Sequence, residues 1–141
     1  MTCPWFHLVA VNVLYLNMQE NRSDIATEAD VKTLVDGFYQ KVNKDELLAP
    51  VFNDTARVDW KEHLPVMYRF WGSMLLHSKS YQGNPWPKHA VLPVNITHFG
   101  RWLALFRDTV DEHFAGPKAT EAKNAAASIA DTFQNRLMLV R

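Results

Sequence analysis

Apolar residues recur along most of this chain at a helical period. Val31, Leu34, Val35, Phe38 and Val42 lie three or four residues apart and would share one face of a helix. Just ahead of them, Thr27 and Asp30 have the spacing of a capping box, with Asp where the longer Glu is commoner. A second helix is predicted from about Asp59 to His77, with Trp60, His63, Leu64, Met67, Phe70, Trp71, Met74 and Leu75 on one broad face. A third starts near Thr97 and carries Trp102, Leu105, Phe106, Thr109, Val110 and Phe114. Gly116-Pro117 ends it and starts the last, whose inner face is Ala119, Ala122, Ala126, Ile129, Phe133 and Leu137. Leu47 to Asp54 reads as a short corner. No strand-like alternation of any length appears, so the fold class is all-α.

At 141 residues the chain is long enough for one domain with a substantial core. Fifteen basic residues balance fifteen acidic ones, which gives no electrostatic grip on nucleic acid. The single cysteine, Cys3, excludes an internal disulfide and fits a reducing, cytoplasmic setting. Five Trp and eight Phe are many for this length. Such rings either make a heavy core or wall a flat apolar cofactor, and composition does not choose between the two.

The first residues stand apart. Residues 1–17 are apolar but broken by Asn12, too short for a membrane span, and without the charge and cleavage pattern of a secretory signal. Met18 opens a polar segment that reads as an ordinary cytosolic start. Residues 1–20 are therefore taken as an N-terminal extension, either upstream of the true initiator or a docked or membrane-touching segment. Residues 21–141 are taken as the domain, with no membrane partner expected.

Candidate chemistry concentrates at four histidine and aromatic positions. His89 lies in Tyr81-Gln-Gly-Asn-Pro-Trp-Pro-Lys-His89-Ala-Val-Leu-Pro93, a segment too proline-rich for a long helix. A histidine on a short rigid element facing an apolar slot is what a haem iron needs as its proximal ligand. His63, Met67, Phe70 and Trp71 fall at i, i+4, i+7 and i+8 and face inward together. A lone histidine on such a face is more often a satisfied core residue. His89, however, follows His63 after a Gly/Pro-rich reversal, and two histidines converging on an aromatic slot form a haem constellation. Half of another metal site is the alternative, but Cys and carboxylate partners at zinc-like spacing are missing.

Tyr39 lies one step from the inner face set by Val35 and Val42. It is either a boundary tyrosine with a wet hydroxyl or a buried one whose hydroxyl needs a partner, such as a bound diatomic ligand carrying partial negative charge. Trp102 offers a donor-only indole N–H to the same ligand, or is simply a core tryptophan. Pro65 adds a local question, since proline beyond the first turn of a helix removes a backbone hydrogen bond and bears on how His63 is aimed.

Together these residues resemble the group III truncated haemoglobins, a small two-over-two α-helical globin class, from about Thr27 to the C-terminus. The matching motifs are Phe38-Tyr39-Gln-Lys-Val42, Pro50-Val-Phe52-Asn53, Trp60-Lys-Glu-His63-Leu-Pro-Val-Met67 and Phe70-Trp71. They continue through Tyr81-Gln-Gly83-Asn-Pro85, His89, Leu92-Pro93, Arg101-Trp102-Leu103-Ala-Leu105-Phe106 and Ile129-Ala130-Asp-Thr-Phe133-Gln134. The resemblance implies haem b (iron protoporphyrin IX) with His89 as proximal iron ligand, and Tyr39, His63 and Trp102 as distal residues. It implies that Met67 packs over the ligand, that Phe52 wedges against the haem, and that Phe38, Phe70, Trp71, Leu92, Leu105 and Phe106 complete the apolar wall. Charge and location suggest Lys88 and Arg57 as propionate partners. His98 reads as a capping or pocket-rim residue sooner than as an iron neighbour, and His7, His77 and His113 as surface or packing positions.

Three functional classes follow. The preferred one is a monomeric haem protein binding O2, NO or CO at penta- or hexacoordinate iron, for scavenging, storage or sensing rather than oxygen transport. The second is a haem enzyme for NO dioxygenation or peroxide chemistry, supplied with electrons by an external reductase. The third is a helical bundle without cofactor.

Overall fold

The computed structural model describes residues 22–78, 81, 83, 89 and 92–140. The expected N-terminal extension and Lys88 lie outside these residues. Among the described residues four long helices carry the fold: α1 (Glu28–Lys44), α2 (Trp60–Leu76), α3 (Ile96–His113) and α4 (Pro117–Val140). No strand occurs among the described residues, as the hydrophobic period predicted.

Each helix start is fixed by local chemistry. In α1 the Thr27 hydroxyl accepts from Asp30 N at 3.2 Å while the Asp30 carboxylate accepts from Thr27 N at 3.0 Å, so the predicted capping box forms despite the short Asp. Glu28 and Asp30 in its first turn and Lys41 and Lys44 in its last oppose the helix dipole. In α2 the Asp59 carboxylate caps Lys61 N at 3.1 Å, and the left-handed His77 (φ +56°) ends the helix. Pro65 lies past the first turn and cannot donate to the Lys61 carbonyl, yet the helix continues to Leu76. In α3 Asn95 Oδ1 accepts from Thr97 N at 2.9 Å and His98 Nδ1 accepts from Asn95 N at 3.1 Å. His98 is thus a capping residue.

The start of α4 is held from a distance. Asp24 accepts hydrogen bonds of 2.9 Å each from Lys118 N, Ala119 N and Ile25 N, tying the chain before α1 to the helix that closes the fold. Burial raises the Asp24 pKa, but the hydrogen bonds from Lys118, Ala119 and Ile25 outweigh it and hold the carboxyl below its ordinary value. Gly116 makes this approach feasible. Its φ is +140°, and a Cβ there would sit 2.6 Å from Asp24 Cγ.

The corner predicted over Leu47 to Asp54 runs into a π-helix, Val51–Thr55, closed by Ala56 N donating to Val51 O at 2.8 Å. Arg57 follows in the left-handed region at φ +50°. α1 packs against both α2 and α3, α3 packs on α4, and α2 touches α4 more lightly. Tyr39 meets His63, and the Tyr68 hydroxyl donates to Asp36, so α1 and α2 run antiparallel. Burial and the Asp36 carboxylate push the Tyr68 pKa up to about 12.

Apolar side chains form two groups. The larger draws Val31, Leu34, Val35, Phe38, Tyr39 and Val42 from α1, Trp71 and Leu75 from α2, Phe106 and Val110 from α3, and Ala119, Ala122 and Ala126 from α4. The smaller is Val51, Val94 and Leu137, with Leu92 and Phe99 packed against it. No helix among the described residues is long and apolar enough to cross a membrane.

Candidate functional site

The aromatic side chains of α1, the π-helix, α2 and α3 interlock around Tyr39. Its ring centre lies 4.9 Å from Phe38, 5.9 Å from Phe52, 5.2 Å from Trp60 and 5.3 Å from His63. The array continues from Phe38 to Trp102 (5.6 Å) and Phe106 (5.3 Å), and from Phe106 to Trp71 (4.7 Å). Most of these contacts are edge-to-face or tilted, the arrangement that ring quadrupoles favour.

Tyr39 is 5% exposed, so of its two sequence readings the buried one holds. Its stripe is wider than the period suggested because α1 is covered by two helices. The hydroxyl finds a partner in His63 Nε2 at 3.3 Å. Burial raises the Tyr39 pKa well above the ordinary tyrosine value, so the phenol stays protonated and able to donate at neutral pH. His63 is half-buried and points inward to this hydroxyl. If His63 carries its proton on Nε2 it donates to the Tyr39 oxygen and leaves the phenolic hydrogen free for another acceptor.

Trp102 is half-buried, stacked on Phe106 at 5.8 Å with 12° between the planes. Among the described residues its indole N–H has no acceptor, and it is not a sealed, unsatisfied group. The site therefore retains a donor suited to a ligand. Met67 and Phe70 are half-buried at the margin of the large cluster, and Phe70 meets Tyr81 at 5.1 Å.

His89 and Leu92 belong to the other side. The His89 ring lies 4.9 Å from Phe133, and Leu92 N donates to His89 O at 3.1 Å. Leu92 packs with Val51, Val94 and Leu137 instead of joining Phe38, Phe70 and Trp71 in one wall. The expected lining residues are thus divided between two groups. Arg57 is exposed at the corner, in the left-handed region.

Sequence reasoning missed several neighbours. Val94 and Phe99 join the small cluster, although Phe99 stands at helical spacing to Trp102 and Phe106 and could have been found on that ground. Trp60 was placed on the inner face, but its contact with both Tyr39 and His63 was not foreseen, nor was the side-chain chain Trp60–Asn53–Asn43.

Among the described residues, no group of three or more His, Cys, Asp or Glu could hold a bare metal ion. His89 beside Phe133, with the buried Tyr39 phenol and the Trp102 indole in the separate aromatic array, is a set of residues that suits a metal carried in a flat macrocycle better than a bare ion.

Comparison with known proteins agrees. The family model for bacterial-like globins matches residues 23–135. A group 3 truncated haemoglobin of Campylobacter jejuni is 35% identical over 114 residues, covering 78% of this chain and 90% of the relative. The crystal structure of group III truncated haemoglobin from Campylobacter jejuni superposes with a TM-score of 0.73 at 33% identity, covering 82% of this chain and 94% of that one. The chain therefore belongs to the bacterial-like globin family and, within it, to the group III truncated haemoglobins, an all-α class whose members imply a haem cofactor.

Proposed function

We propose that this protein holds haem b with His89 as its axial ligand and retains a diatomic ligand, O2, NO or CO, between Tyr39, Trp102 and His63. The observation that carries the reading is that the buried, protonated Tyr39 and Trp102, whose N–H has no acceptor among the described residues, both pack against Phe38 in one aromatic wall. The chain's one cysteine cannot supply the two thioethers of c-type attachment, which favours haem b.

Haem iron, when bound, supplies the coordination position for the ligand. His89 would coordinate through a neutral imidazole nitrogen, held beside Phe133. Tyr39 and Trp102 would donate to a ligand that carries partial negative charge, and His63 would orient the Tyr39 hydroxyl. Phe38, Phe52, Met67, Phe70, Trp71 and Phe106 would exclude water, which strengthens those donors. Each bond to a charged acceptor contributes about 1.5–3 kcal/mol, and each 1.4 kcal/mol slows release roughly tenfold. Such retention suits scavenging, storage or sensing in the cytoplasm better than delivery.

The test begins with a Soret absorption band, expected in the purified protein and lost in His89→Gly. Dioxygen dissociation is then measured for Tyr39→Phe and Trp102→Ala, each expected to be faster by about ten- to a hundredfold. Unchanged rates in both variants would sink the assignment of these two donors. Sustained NO consumption with a supplied reductant would move the function from binding to catalysis.

A further inference from the structure

Three residues that the family resemblance leaves without a role form a polar chain beside the distal wall. Asn53 Nδ2 donates to Asn43 Oδ1 at 2.9 Å, and Trp60 Nε1 donates to Asn53 Oδ1 at 2.8 Å. They come from three elements: the last turn of α1, the π-helix and the first residue of α2. We propose that this chain is a positioning device that pins the Trp60 indole against Tyr39 and His63, and so restrains rotation of His63 away from the Tyr39 hydroxyl. The proposal rests on the reading of Tyr39 and His63 as distal residues.

The geometry makes Trp60 the natural stop for His63. The two stand at i and i+3 on α2, and side chains on a helix lean toward its N-terminus, so the His63 ring lies over Trp60. Their ring centres are 5.6 Å apart at 82°, edge to face. The same indole meets Tyr39 at 5.2 Å and stacks on Phe52 at 5.9 Å and 23°. Trp60 is therefore held by Phe52 on its face and by Asn53 at its nitrogen, and its other ring contacts include the two distal residues themselves.

Asn53 is exposed, yet both ends of its amide are engaged, one with the last turn of α1 and one with Trp60. The π-helix presents it there, and the left-handed Arg57 returns the chain to the start of α2. Backbone of this kind persists where the surroundings over-determine it, and π-helices recur beside functional sites. Exposed hydrogen bonds of this type add little to global stability. What they fix is the direction of the indole.

The device is tested with Asn53→Leu, which removes both bonds, and Asn53→Asp, which keeps the acceptor for Trp60. In 15N-labelled protein the Trp60 indole resonance, identified by its loss in Trp60→Phe, is expected to shift in Asn53→Leu and to stay near its wild-type position in Asn53→Asp. In the CO-bound protein the infrared C–O stretch is expected to change from one dominant band to two in Asn53→Leu, reporting a second His63 position. CO rebinding after photolysis is expected to be about three- to tenfold faster. Asn53→Asp is expected to restore both. An unshifted indole resonance, or a wild-type infrared band and rebinding rate in Asn53→Leu with the Soret band intact, overturns the proposal. Absence of a Soret band from the wild-type protein overturns the functional reading, and this proposal with it, and is a distinguishable result.

Discussion

The larger apolar cluster, drawn from all four helices, holds an interlocked set of aromatic rings, whereas the smaller one around Val51, Val94 and Leu137 is mainly aliphatic and stands apart from it. The first carries Tyr39, whose polar group is already placed, and abuts His63 and Trp102. The second neighbours one histidine, His89, beside Phe133 and Leu92. On the proposed reading the two sides solve different problems. A wall that discriminates ligands needs fixed donors, and fixed donors need rings packed against one another. A wall that offers one axial ligand needs only apolar surface.

The sharpest way to break this contrast is to remove one large side chain from each side. Phe106 is fully buried and meets Phe38, Trp71 and Trp102, so Phe106→Ala is expected to cost about 3–5 kcal/mol in chemical denaturation. Leu137, 4% exposed in the smaller cluster, has fewer rigid neighbours, and Leu137→Ala is expected to cost about 2–3 kcal/mol. Equal losses, or a larger one at Leu137, would show that the two sides are equally self-supporting.

These differences were unequally legible in the sequence. Caps and helix faces were readable because they depend on neighbours within one or two turns, as Thr27 with Asp30 and Gly116 with Pro117 illustrate. The π-helix was not, since the stretch from Pro50 to Thr55 has no period and its form depends on Val51 docking in one cluster and Phe52 in the other. Tyr39 was half legible. Its neighbours marked a helix face, but only the docking of α3 as well as α2 decides that the stripe extends over it. The link from Trp60 through Asn53 to Asn43 joins residues from three elements, so no local pattern announces it.

A helix that feeds both clusters offers a second lever. α4 contributes Ala122 and Ala126 to the larger and Leu137 to the smaller, and Asp24 holds its first turn. Asp24→Ala is expected to cost about 1 kcal/mol, the usual loss for a helix cap. The folded-state pKa of Asp24 lies below its ordinary 3.8, so this stability is present above about pH 3.8 and is lost as pH falls through the lower, folded value. Acid unfolding of the wild type and Asp24→Ala is therefore expected to converge below that window. A gap that persists at the lowest pH would assign the loss to packing instead of to the charge.

The smallest expected effect lies at Gly100, on the stretch of α3 between Phe99 of the smaller cluster and Trp102 of the larger. Glycine inside a helix costs about 0.5–1 kcal/mol relative to alanine, because the unfolded chain gains conformations that the helix must surrender. A Cβ at Gly100 would meet nothing within 4 Å, and the residue has no positive φ to require glycine. Gly100→Ala is therefore expected to stabilise by about 0.5–1 kcal/mol, a few degrees in the thermal midpoint. On the proposed reading it should leave the Soret band in place, since it stiffens the helix between the clusters without entering either. A stabilised variant with a shifted band would show instead that the two walls need some give along α3 to close on their cofactor, and the independence of the two sides would fail at that point.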